Sequence, residues 1–489
     1  MLSIKKSLLY VGILSFLFSC ETTPEKIKMN VKQSFFRPII ENLSDDRMMG
    51  REMGSLGSKY AAQMIMDEFE TIGTHYYPGK SSYSQAVTIY KTPQLINASI
   101  ELGKNLKLST PAKLIGLKQV RTLNIEAEVA AMSDWDAEKA SKWEYRDKMI
   151  VYRLSENELF SSSDSTFQTW LDSFYAKIVK ADAKAAIVLL PDSKIKWNSI
   201  INRFNRSVYS LIDAENETPV LFVEGKFVSR NALKRAKTVK IQSESERFEP
   251  LKDQNITAYI PGSDSKFKNY PVLVTAHYDH IGYKKGLPAD QDSIYNGARD
   301  NIVGVTAMLV GAKVLQKLSP KRPVLFIAFT GEEKGLLGSR FYAENPLFPL
   351  KNTYFGINLD NAGYNDTSIV SLIGLSNYKN DSLFIKPIQE MGLKVLVDPV
   401  PQFRLFERSD NIILTQKGVP TLSYSLGFTD FTDELNKYYH QLADESSSLD
   451  YDYLERFYES FTNVLYYVAN SEDPIEWRED SKWNPQNQE

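Results

Sequence analysis

The stretch VLFIAFTGEEKGLLGS, Val324 to Ser339, decides how the rest of the chain is read. Its first six residues, Val324 to Phe329, are a dense apolar run of the kind found in a core strand. The run stops at two adjacent carboxylates, Glu332 and Glu333. Like charges side by side repel, and an acid at the end of a core strand loses water. On an extended strand end, neighbouring side chains point to opposite sides, so the two acids can serve different partners. Taken alone, the doublet is equally a pair of acids favoured at a helix N-terminus.

Two other apolar runs carry chemistry at their ends. PVLVTAHYDH (271–280) closes on His277, Asp279 and His280, and TYFGINLDNAG (353–363) places Asp360 just past its apolar part. Between 296 and 318, NGARDNIVGVTAMLVGAKVLQKL reads as a loop carrying Asp300 and then a long apolar helix from about Ile302. Strands alternating with helices from Asn255 onward predict an α/β fold: a mainly parallel central sheet flanked by helices. In such sheets ligands bind outside the carboxyl ends of the strands. Residues distant in sequence then meet in one crevice holding histidine and several carboxylates. Carboxylates gathered without balancing Lys or Arg repel, and a bound cation removes the problem. Mixed His and carboxylate donors suit zinc, and two metals about 3.5–4 Å apart recur in hydrolytic sites. The chain has only four histidines, His75, His277, His280 and His440. His440 lies in NKYYHQLADE (436–445), after the apolar run VPTLSYSLG. Singly, each residue has a plainer role: Asp300 as a helix N-cap, Asp360 in an Asx turn, His277 as a hydrogen-bonded core histidine, His440 as a solvated loop residue.

The bulk of the chain narrows the function classes. At 489 residues, with 43% hydrophobic and 24% charged content, it is long enough for two to four globular domains. Lys+Arg (58) nearly balance Asp+Glu (61), which leaves no footprint for nucleic acid. The single cysteine, Cys20, excludes disulfides and thiol catalysis from the domains that follow. Cys20 ends MLSIKKSLLYVGILSFLFSC, with Lys5 and Lys6 ahead of an apolar stretch from Ser7 to Phe18. That pattern resembles a bacterial lipoprotein signal. It predicts residues 1–20 as a signal peptide, lipidation at Cys20, and an exported protein anchored in a bacterial envelope. An ordinary cleaved signal with an incidental cysteine is the alternative. Residues 21–34 are polar and read as a tether. The principal domain is expected over 35–93 and 246–471, with helices at Phe35–Asn42, Ser58–Thr71 and 451–469. A β-rich insert is expected over 94–245, and a polar extension over 472–489.

Six motifs in order over residues 276–444 resemble the zinc aminopeptidase family M28, the co-catalytic metallopeptidases: AHYDH, GARDN, GEEKGLLGS, NLDNAG, SDN with GVP, and YYHQLAD. GREMGSLGSKYAA and SYSQ resemble the N-terminal segment of that family, and the insert resembles a protease-associated (PA) domain. The resemblance implies a zinc exopeptidase-like fold, a peptide substrate and two zinc ions per chain. It implies His277 and Asp360 on one zinc, Glu333 and His440 on the other, Asp300 bridging both, and Glu332 as general base. Asp279 would orient His277 from outside the ligand set, with His280 supporting or structural. The family often has a cis peptide after the bridging aspartate, here Asp300–Asn301. Ile302-Val303, Asn361, Asn411 and Gln441 depart from the usual residues. None of them removes a ligand, and they bear on the shape and polarity of the pocket. Three alternatives stay open: a carboxypeptidase or dipeptidase on the same fold, a glutaminyl cyclase with one zinc, or a non-enzymatic binding protein.

Overall fold

The apolar runs at 272–277, 324–329 and 355–359 lie side by side at the centre of one sheet in a computed structural model of the chain. The structure describes residues 22–92, 96–103, 106–109, 114–117, 123–132, 145–154, 164–190, 208–212, 218–244, 249–288 and 290–487. The expected signal peptide and Cys20 lie outside them.

Strands are numbered along the chain. β1 (Ser84–Thr92) precedes the insert, which supplies β2 (Ile96–Leu102), β3 (Leu106–Ser109), β4 (Leu114–Leu117), β5 (Leu123–Met132), β6 (Met149–Arg153), β7 (Ala185–Leu190), β8 (Val208–Ser210), β9 (Val220–Glu224) and β10 (Thr238–Glu244). After it come β11 (Leu251–Ile260), β12 (Val272–His277), β13 (Val324–Phe329), β14 (Phe355–Leu359), β15 (Ile369–Ile373), β16 (Lys394–Val397) and β17 (Thr421–Leu426).

The main sheet runs β16-β15-β17-β14-β12-β13-β11-β1-β8. Its centre is parallel (β17, β14, β12, β13), as the continuous apolar runs require, because both faces are covered. Antiparallel pairings enter at β11 on one side and β15 on the other. Every residue of β12, β13 and β14 is buried. The helix Val303–Leu318 packs on one face and is itself covered by the helix Tyr451–Asn470. The stretch Ala298–Leu318 is long and apolar enough to cross a membrane, but it is the core helix of this layer.

The insert builds its own sheet, β3-β2-β10-β5-β6-β7-β9-β4, with separate apolar clusters on its two faces. The helix Asp164–Lys180 covers one face through Leu171, Phe174 and Ile178. β8 is the exception: it leaves the insert and pairs with β1 at the edge of the main sheet.

Two segments differ from expectation. Within the expected tether, 21–34, the described residues from Thr22 onward are ordered into helices, Thr23–Asn30 and then Gln33–Leu43. The Glu25 carboxylate accepts the Thr22 N–H at 2.7 Å, Pro24 sits in the first turn, and Ile27 is fully buried. The polar composition hid a helix that needs only Ile27 and Val31 to dock. The extension after 471 also docks: Trp477 packs on Tyr378 at 4.7 Å between ring centroids, and Trp483 on Phe406 at 6.0 Å.

Candidate metal centre

Parallel register sets the site. His277 lies opposite Phe329, and Ala276 opposite Leu359, so the residues just beyond β13 and β14 reach the level of His277. His277, Glu332, Glu333 and Asp360 thus gather at one sheet edge. Asp300 arrives from the loop before the core helix, across a cis Asp300–Asn301 peptide. His440 comes from the loop after β17, in a left-handed conformation with φ 56°.

Asp300 stands between two sets of donors. Its Oδ1 is 3.3 Å from His277 Nε2, which is also 3.3 Å from Asp360 Oδ1. Its Oδ2 is 3.2 Å from His440 Nε2, which is also 3.2 Å from Glu333 Oε1. His280 Nδ1 lies 2.8 Å from the same Glu333 oxygen, so His280 belongs to the second set. Each set could hold one metal ion, with Asp300 shared between them. The donors are imidazole and carboxylate and include no sulfur, a set that suits zinc.

The electrostatics fit a cation here. Burial disfavours the imidazolium of His277, yet the carboxylates of Asp300 and Asp360 outweigh it and hold the ring protonated well above its usual range. His440 behaves alike: burial opposes its charge, but Asp300 and Glu333 push its pKa up to about 10. The acids thus recruit protons onto the two rings at the positions where a metal would bind them. Burial, Asp360, Asp410 and Glu333 raise the pKa of Glu332 well above the carboxylate range.

A layer of main-chain hydrogen bonds fixes these side chains. Asp444, the last residue of the YYHQLAD motif, accepts the N–H of Arg299 at 2.8 Å and of Asp300 at 3.2 Å. The Asn301 side chain donates to Leu359 O at 2.7 Å and accepts from Asn361 Nδ2 at 2.9 Å. Asn361 Oδ1 in turn accepts the Leu426 N–H at 2.8 Å, tying the ends of β14 and β17 to the Asp300 loop. A Cβ at Gly304 would stand 2.3 Å from Asn301 Oδ1, so this packing needs glycine there. The Asp279 carboxylate faces both the two glutamates and His277. It accepts the N–H groups of Glu332 (3.1 Å) and Glu333 (3.3 Å) and lies 3.8 Å from His277 Nδ1. The main-chain carbonyl of Asp279 is closer to that nitrogen, at 3.1 Å.

Sequence reasoning gave no role to Arg51, which is fully buried. Its guanidinium donates to four main-chain carbonyls: Tyr278 and Leu43 at 2.9 Å, Asn296 at 2.6 Å and Gly297 at 2.9 Å. It joins the end of β12 to the loop that delivers Asp300. Burial lowers its pKa to about 10, partly offset by Asp444, Asp279, Asp300 and Glu333. The only signal in the sequence was an arginine inside a Gly-rich segment, GREMGS.

The site opens into a cavity of about 100 Å³ lined by His277, Asp300, Glu333, Asp360 and His440 together with Glu332. Ile373, Leu405, Phe428 and Phe431 add apolar wall, and Arg408 adds a cation.

The comparisons with known proteins agree with this geometry. Residues 255–465 match the model of Peptidase family M28. The chain is 27% identical over 207 residues to an aminopeptidase of Bacillus subtilis (strain 168), YwaD, covering 41% of this chain and 42% of that one. It is 32% identical over 126 residues to a probable zinc metalloprotease of Pyrenophora tritici-repentis, covering 26% of this chain and 28% of the relative. These matches span less than half the length of either relative. An aminopeptidase from Aneurinibacillus sp. strain AM-1 shares the fold, with a TM-score of 0.55 at 18% identity over 94% of this chain and 98% of that one. The family match, the parallel sheet and the paired donor sets agree with one another: residues 255–465 are similar to peptidase family M28.

Proposed function

We propose that this chain is a zinc-dependent exopeptidase that removes N-terminal residues from peptides. The observation that carries the reading is Asp300, whose two oxygens each face a different His–carboxylate pair. His277 and Asp360 would hold one zinc, Glu333 and His440 the other, with Asp300 shared. His280 steadies Glu333. When bound, the two ions supply concentrated positive charge that acidifies water and polarises a carbonyl.

The chain's own groups do the rest. Glu332 takes a proton from the attacking water as its oxygen bonds to the scissile carbonyl carbon. It returns that proton to the nitrogen as the C–N bond breaks. Asp279 holds both glutamate N–H groups and so fixes which acid faces the donor sets and which faces the cavity. The acidic wall receives the α-ammonium of the substrate, and the apolar wall receives its side chain. The insert acts as a PA-type module, and Cys20 carries the lipid anchor on an exported protein.

A panel of amino-acid amides and dipeptides, with free and with blocked N-termini, tests this. Cleavage is expected only with a free α-amine, is lost on chelation, and returns with zinc. Cleavage of blocked substrates at equal rates would overturn the aminopeptidase reading.

A further inference from the structure

Only one residue separates Cys20 from Thr22, where the described chain opens. The helix Thr23–Asn30 begins there and is held by Ile27 and Val31 in the main core. The course of residues 30–35 is defined by their neighbours. Phe35 lies under the Lys313 ammonium, 3.4 Å from the ring centroid, and Asn30 accepts from Lys317 at 2.7 Å. Followed backward from 35 to 30, the chain therefore moves toward the C-terminal end of the helix Val303–Leu318. That end belongs to the pole where β12, β13 and β14 begin: Val272 N donates to Pro323 O at 2.9 Å, and Tyr354 N to Pro271 O at 2.9 Å. The helix Tyr451–Asn470 ends at the same pole, where Ala469 O accepts from Arg322 N at 2.9 Å. The metal donors follow the opposite ends of those strands.

The pole is rich in lysine. Lys266, Lys268, Lys317, Lys321 and Lys351 surround it, with Tyr270 half exposed among them. Glu472 sits between Lys266 (3.1 Å) and Lys321 (2.6 Å). This concentration occurs on a chain whose formal net charge is −3.

We infer that this pole rests on the phosphate-bearing headgroups of a lipid bilayer, and that the metal site faces away from the membrane into solvent. The inference depends on the lipidation of Cys20 proposed above. Two residues span at most about 7 Å, so an acylated Cys20 holds Thr22 close to the membrane surface. Lysines next to a bilayer are drawn to anionic headgroups. The enzyme then meets soluble peptides arriving from the aqueous side, not chain termini emerging from its own bilayer.

The lipidated full chain has no other cysteine, so one engineered thiol can be labelled alone. Lys268→Cys places a fluorophore at the pole. Gln402→Cys places one beside Phe403, which packs on Phe431 of the cavity wall. Both proteins are reconstituted in vesicles of phosphatidylglycerol and phosphatidylethanolamine carrying a headgroup quencher. Several-fold quenching at 268 and none at 402 is the expected result. Equal quenching, or stronger quenching at 402, in a chain whose mass shows an acylated Cys20 overturns the orientation alone. Absence of the acyl mass overturns the anchor and the orientation together.

Discussion

Glu332 and Glu333 are adjacent, yet their surroundings differ. Glu333 is engaged by His280 at 2.8 Å and His440 at 3.2 Å, whereas Glu332 lines the cavity with no side-chain partner among the described residues. The doublet should therefore split under mutation. Glu332→Gln is expected to keep both metal equivalents by elemental analysis while turnover falls about 10²–10⁴-fold. Glu333→Gln is expected to lose metal first, with activity partly restored by excess zinc. Identical metal content and identical turnover in the two variants would mean that the roles are wrongly divided. Much of this candidate site was legible in the sequence because His277, Glu332, Glu333 and Asp360 follow apolar runs and Asp300 precedes an apolar helix. Asp444 and Arg51 were not assigned roles, because their work is done on main-chain N–H and C=O groups. A sequence does not display which main-chain groups lack partners.

At the scale of elements, the three central strands were readable for a physical reason. Strands buried on both faces are written as unbroken apolar runs, as in VLVTAH and VLFIAF. The helix Thr23–Asn30 was not readable, since one buried isoleucine in eight residues gives no amphipathic period. Its docking has a measurable weight. Ile27 is fully buried, so Ile27→Ala should lower stability by about 2–5 kcal/mol in denaturant unfolding followed by tryptophan fluorescence. A segment behaving as a tether would show no change. The antiparallel additions β11 and β1 were also hidden, because alternation marks a strand but does not say which neighbour it joins.

At the scale of the whole molecule, stability should carry a pH signature separate from catalysis. Burial and the acids Asp46, Asp292, Asp444 and Asp45 raise Glu445 to about 7 from its usual 4.5. Between these values the folded chain holds a proton that the unfolded chain has released. The stability from Glu445 is thus present in full below about pH 4.5 and is lost as pH rises through about 7. Glu445→Gln should raise the melting temperature at pH 8 by about 1–3 °C, a modest gain because the group is half-buried and screened. At pH 4.5 it should leave the melting temperature unchanged. Equal shifts at both pH values in calorimetry would remove Glu445 as the source.

The bond from Arg51 to Asn296 spans 245 residues, and β1 finds its partner β11 only beyond the insert. During synthesis, at roughly 5–20 residues per second, the first segment waits about 10–50 s for the loop it will hold. The insert, whose sheet closes within residues 96–244, leaves the ribosome inside that interval. The guest therefore has time to fold before its host can begin. A nascent chain paused once residue 250 has emerged from the ribosome would present a finished insert and an N-terminal segment still available to chaperones.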